Sequence, residues 1–114
     1  MNERLLKSLY DINAAIDEIT SFLDGRERKF SEYQKNQLLK RGIERNLEII
    51  GEAMNRILKE DASIPIRDAH RIVGLRNQII HGYDSITDEN IWAVVMNHLP
   101  KLEEDVKALI GSPD

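Results

Sequence analysis

The stretch Gly74-Leu75-Arg76-Asn77-Gln78-Ile79-Ile80-His81-Gly82-Tyr83 gathers the side chains best suited to chemistry in this chain. An imidazole changes charge near neutral pH and can take or give a proton. A guanidinium presents a planar fork of donors that matches a phosphate or a carboxylate. Arg76 stands where helical spacing calls for an apolar residue, because Ala69, Val73, Arg76, Ile80 and Tyr83 follow one another at steps of 4, 3, 4 and 3. A charge on such a stripe must be paired, sit at an interface or line a cleft. At roughly 100° per residue, Tyr83 lies about 20° from the direction of Arg76 and His81 about 140° from it. One straight helix therefore cannot set Arg76 beside His81. They converge if the helix unwinds at Gly82 or if two copies of the helix meet across a two-fold axis, and the geometry favours a dimeric site.

Each of these residues also has a plainer reading. Arg76 can be a salt-bridged bundle residue, and His81 a helix-end residue facing the last carbonyls. His70 and His98 read as ordinary helix residues. No pair of histidines has the i, i+4 spacing of a zinc site, so no metal is expected. Glu52, beside the buried stripe of the second helix, is either a solvated boundary residue or the partner of a buried arginine, Arg76 or Arg45. Lys35, Lys40, Arg41 and Arg45 form a basic set that is either a solvated face or a phosphate track. Glycine-rich phosphate loops, GxSxG elbows, HExxH and EF-hand patterns are absent from the sequence.

With 114 residues the chain has the length of one domain, and 41% hydrophobic residues suffice for a core. It contains no Cys, which excludes disulfides, a thiol nucleophile and a thiolate metal site. No apolar run has the length of a membrane span and the N-terminus shows no cleavable signal pattern, so a soluble cytoplasmic protein is expected. The net charge of −4 is unevenly spread: residues 25–60 carry 9 basic and 6 acidic groups, and residues 84–114 carry 2 and 7. A global footprint for nucleic acid is missing, but a basic middle remains. Aromatic residues make up 5% of the chain, too few for extensive stacking of bases.

The elements that must position these residues read as helices throughout. Leu5, Leu9, Ile12, Ile16, Ile19 and Leu23 form one stripe that should stop near Asp24-Gly25. A second helix is expected from about Ser31, with Leu39, Ile43, Leu47, Ile50, Met54 and Ile57 as its stripe. Gly42 and Gly51 within it mark close approach of a neighbouring helix. After a break at residues 61–65, a third helix runs from about Ile66 to Ile80. Thr87 should cap a fourth, which carries Ile91, Val94, Val95, Leu99, Leu102, Val106 and Leu109 and which Pro100 kinks or splits. The fold class is all-α: an up-and-down bundle of four to five helices, with one domain over residues 1–111 and a short tail at 112–114.

Taken together, these pieces resemble a known family. Arg76-Asn77-x-x-x-His81-x-Tyr83 is similar to the Arg-polar-x-x-x-His-x-Tyr motif of HEPN-superfamily toxins of the HepT type. Glu48-Ile49-Ile50-Gly51-Glu52-Ala53 resembles the signature of that family's second helix. Ile64-Pro65 with Gly74-Leu75-Arg76-Asn77, and Ile91-Trp92 with Leu99-Pro100-Lys101-Leu102, resemble its later segments. The likeness spans roughly residues 4–110.

The resemblance implies a homodimeric helical bundle and a toxin with metal-independent RNase activity that needs no cofactor. It also implies a minimal nucleotidyltransferase antitoxin as partner, which silences the toxin by transferring AMP to the motif tyrosine, here Tyr83. RNA supplies its own nucleophile, the 2′-OH. On this reading His81 is the general base or acid and Arg76 the phosphate clamp. Asn77, Tyr83 and Glu52 support them, and Lys40, Arg41 and Arg45 touch RNA. The alternative is a non-catalytic subunit that presents a nucleotide or substrate to the nucleotidyltransferase.

Overall fold

The computed structural model describes residues 1–81 and 86–111, and it places the chain in helices. Helix α1 runs Glu3–Leu23, capped by Asn2, whose side chain accepts the Leu5 amide at 2.7 Å. All six residues of its expected stripe are buried. It ends where expected, with Gly25 at φ +73°, a conformation that suits a residue without Cβ.

The second expected helix is two. Helix α2 covers Phe30–Lys35 and α3 covers Gln37–Glu60. Between them Asn36 adopts φ −100°, ψ 95°, and its side chain takes the Leu39 amide at 3.0 Å. A short polar side chain that satisfies an orphan N–H starts a new helix rather than continuing the old one. Tyr33 adds a second cause, since its fully buried ring packs 5.1 Å from that of Trp92 and draws α2 away from the line of α3.

Helices α1 and α3 lie antiparallel, because Phe22 meets Gly42, Glu18 meets Asn46, Arg56 meets Ser8 and Asp11, and Arg4 meets Glu60. The six stripe residues of α3 are buried against α1 and its neighbours. A Cβ on Gly42 would sit 2.9 Å from the Phe22 ring, so the expected close approach there is that of a side chain.

Helix α4 spans Ala69–Ile80, starting three residues later than its periodicity suggested. Ile64 and Ile66 are buried in the turn before it, Arg67 is held by Asp105 at 3.0 Å, and Asp68 takes a left-handed conformation. Burial pushes the Asp105 carboxyl up, but hydrogen bonds from the Arg67 side chain and backbone outweigh it and hold the group below its ordinary range. The face of α4 that packs on α3 follows Ala69, Ile72, Arg76 and Ile79. Ile80, expected on the buried stripe, is 43% exposed.

Thr87 caps α5, Asp88–Ala93, as expected, accepting the Asn90 amide at 3.2 Å. A π-helical turn follows over Val94–His98, then α6 over Leu99–Ile110. Pro100 accounts for the split: it lacks the N–H that would bond Met96, and its ring crowds that carbonyl, so the chain widens and the Leu99 amide reaches Val94 instead. Counting this interrupted rod as one, the described residues form five helices and no strand. The expected tail at 112–114 lies outside the described residues.

Candidate functional site

The site is built on the contact of α4 with α3. Gly51 removes a side chain from the middle of α3, and the stem of Arg76 occupies the space. A Cβ on Gly51 would overlap the Cβ of Arg76, lie 2.7 Å from its Cγ and 3.3 Å from the Ile72 carbonyl oxygen. The aliphatic part of Arg76 thus packs as an apolar residue, as its place on the stripe demands, while the guanidinium reaches the rim. There Nη2 lies 3.4 Å from Glu52 Oε1, and Nη1 donates to Asn77 Oδ1 at 3.0 Å. The Nε atom is buried and makes no hydrogen bond among the described residues.

Of the two readings of Glu52, the structure takes the arginine partner, and that arginine is Arg76. Arg45 pairs instead with Glu48 at 3.7 Å. The Glu52 carboxylate is half exposed and its contact is long, so an incoming anion can exchange with it at little cost. Asn77 steadies the guanidinium through one fixed hydrogen bond. Arg76, Asn77 and Glu52 are therefore one cluster.

His81 lies one helical turn beyond Asn77 and is turned away from Arg76. It follows α4 directly with its backbone still helical, at φ −76° and ψ −4°, and its amide bonds the Asn77 carbonyl at 3.1 Å. A helical path from residue 76 to 81 preserves the separation of about 140° around the axis. The imidazole is exposed. Gly82, expected to end the helix, and Tyr83, the expected AMP acceptor, lie outside the described residues.

The basic set divides. Lys40 is largely buried and held by Asp88 at 2.9 Å, tying α3 to α5. Arg41 and Arg45 are exposed. At roughly 100° per residue they share a face of α3 with Glu52. Lys35 is exposed on α2. His70 is exposed in the first turn of α4, and His98 Nδ1 lies 3.7 Å from Asp68 Oδ2. No group of three or more metal-type side chains converges among the described residues.

Two features escaped the sequence. One is Tyr33, whose hydroxyl is buried without a hydrogen-bond partner among the described residues and whose pKa is pushed up by burial and then by the charges of Asp88 and Glu44. The other is the identity of what fills the space at Gly51. The glycine signalled a close neighbour, but not that the neighbour is the stem of Arg76.

Comparison with known proteins bears on this arrangement. The profile of the family described as Ribonuclease HepT-like matches residues 12–109. A Methanocaldococcus jannaschii protein named Putative RNase MJ1380 is 32% identical over 110 residues, covering 94% of this chain and 98% of the relative. One from Caldanaerobacter subterraneus subsp. tengcongensis, named Putative RNase TTE0752, is 33% identical over 85 residues, covering 71% and 73%. A further M. jannaschii protein, named Putative RNase MJ0125, is 28% identical over 115 residues, covering 96% and 95%. No solved structure matches the chain. Among the described residues no helix is long and apolar enough to cross a membrane.

Proposed function

The chain belongs to the HepT-like ribonuclease family, and on that premise we propose that it is an endoribonuclease that cuts RNA at a site shared between two copies of itself. The observation that carries this reading is the placement of Arg76 and His81. One is wedged against α3 with its guanidinium steered to the rim, and the other sits about 140° around the same helix. Two copies of α4 related by a two-fold axis let His81 of one subunit face the guanidinium rim of the other.

The chemistry then needs only side chains. A base takes the proton of the 2′-OH, whose oxygen attacks the adjacent phosphorus. The bond to the 5′-oxygen breaks, and an acid protonates that leaving group. The products are a 2′,3′-cyclic phosphate and a 5′-hydroxyl. His81 of one copy serves as base or acid, Arg76 of the copy related by symmetry completes the site, and water takes the other proton-transfer role. Arg76 holds the phosphoryl oxygens as charge builds on them, exchanging its long contact to Glu52 for the substrate. Asn77 keeps the fork in register. Arg41 and Arg45 guide the RNA backbone along the exposed face of α3. Lys40 stands at the flank and contributes only by loosening its hold on Asp88.

The cellular role that goes with this activity is that of a cytoplasmic toxin paired with a minimal nucleotidyltransferase antitoxin. AMP transferred from ATP to Tyr83, with pyrophosphate leaving, would add an anionic nucleotide to the motif and compete with RNA for Arg76. The test is cleavage of total RNA by the purified, partner-free protein in EDTA. Cleavage by the unmodified protein that falls by at least about a hundredfold in His81→Ala and Arg76→Ala supports the reading. Full activity of His81→Ala overturns it. No cleavage by a dimer whose Tyr83 is unmodified by mass spectrometry replaces it with the substrate-presenting subunit.

A further inference from the structure

A groove of about 520 Å³ lies between α4 and the α5–π segment, away from the Arg76 cluster. Arg71, Gly74 and Gln78 line it from one side, and Asn90, Val94 and His98 from the other. Its size is that of a small-ligand site. Resting on the ribonuclease reading above, we propose that this groove seats one nucleobase of the RNA next to the scissile phosphate and sets which base is preferred there.

Four observations converge on this. First, the groove adjoins the His81 side of α4. Around the helix, Gly74 and Gln78 lie within about 20° and 60° of the direction of His81, whereas Arg76 points to α3. Second, Gly74 has no internal reason to be glycine. Its φ is not positive, and a Cβ there would meet nothing within 4 Å. Helix propensity favours almost any other residue, so what the glycine supplies is a bare strip of helix against which a flat ring can lie.

Third, Asp68 is the one described non-glycine residue with positive φ, 61°, and its carboxylate lies 3.7 Å from His98 Nδ1. That nitrogen is buried and makes no hydrogen bond among the described residues, while 31% of the side chain is exposed, so the opposite ring edge is the one left open. A left-handed residue held against a half-engaged imidazole is local strain of the kind that collects at binding sites. Fourth, the lining matches the ligand. Leu75 and Val94 give flat apolar walls. The side-chain amides of Gln78 and Asn90 each offer a donor and an acceptor, as the edge of a base requires. Arg71 gives the rim a cation for the phosphate. With so few aromatic rings in the chain, base recognition must use such a slot rather than ring stacking.

The test follows the backbone amides of Gly74, Gln78 and Asn90 by NMR in the full-length protein during titration with each of the four 3′-nucleoside monophosphates. Cut-site preference on a random RNA pool is measured alongside. The expected result is that these amides shift, more for one base than for the others. Gly74→Leu, which fills the groove from a helical position with open space, should abolish the shifts and raise KM by about tenfold or more, with kcat within about twofold. Asn90→Ala should flatten the base preference by about tenfold while the protein still cuts.

Unshifted groove amides overturn the proposal, as do an unchanged KM and base preference in Gly74→Leu. So does loss of the dimer in Gly74→Leu with silent groove amides, which would make the groove a subunit interface. If the wild-type protein cuts no RNA but the groove amides shift, the nucleotide site stands and the ribonuclease reading falls.

Discussion

Arg76 shows how one residue serves packing and chemistry together. Its stem fills the gap that Gly51 leaves, and its guanidinium is held at the rim by Asn77 and loosely balanced by Glu52. Two turns towards the N-terminus of α3, on the face that carries Gly51, Glu44 sits among the charges of Lys40 and Asp88. Burial raises the pKa of Glu44, the charge of Lys40 opposes that, and Asp88 adds to it. A carboxyl whose folded pKa lies above its unfolded value contributes most stability below the unfolded pKa of about 4.3, and loses it as pH rises through the folded value. Glu44→Gln should therefore melt higher than the wild type near pH 7, by about 1–3 °C because water still screens the group, and the gain should close as pH falls below about 4. Parallel melts across pH 3–8 check this. A gain that persists at low pH would show that ionisation is not its source.

At the scale of the element, the two glycines flanking the site make opposite demands. Gly51→Ala should drive a methyl into the stem of Arg76 and the Ile72 carbonyl, costing about 1–3 kcal/mol and lifting α4 off α3. Gly74→Ala meets open space and should add up to about 1 kcal/mol. Urea denaturation of the two variants distinguishes them, and equal effects would contradict the α3–α4 contact. Much of this was legible in the sequence. The stripes of α1 and α3 are buried residue by residue, Gly51 does mark a close neighbour, and Thr87 does cap α5. What periodicity could not show was competition by side chains. Asn36 ends one helix and starts the next without disturbing the apolar spacing, while at α4 it is the left-handed backbone of Asp68, with no side-chain cap, that delays the start. The rotation of α4 that exposes Ile80 depends on where Arg76 fits, which only the packed structure reveals.

The whole molecule is acidic, with net charge −4, yet Arg41, Arg45 and Arg76 stand along one exposed region of α3 and its contact with α4. Affinity for RNA backbone then depends on a local field rather than the total charge. Arg41→Ala and Arg45→Ala should each weaken binding of RNAs of any sequence and lower the slope of log K against log salt by about 0.7–1, as seen in fluorescence titrations of labelled RNA. A slope unchanged in both would remove α3 from the RNA path. At the same scale lies the central claim, that Arg76 and His81 act across two subunits. It is tested most directly by mixing two inactive variants, Arg76→Ala and His81→Ala, unfolding and refolding them together, and measuring RNA cleavage in EDTA. If each site takes Arg76 from one copy and His81 from the other, half the dimers are mixed and each carries one intact site, so activity returns to about one quarter of wild type. A mixture that forms mixed dimers by mass spectrometry yet stays inactive would contradict the shared site.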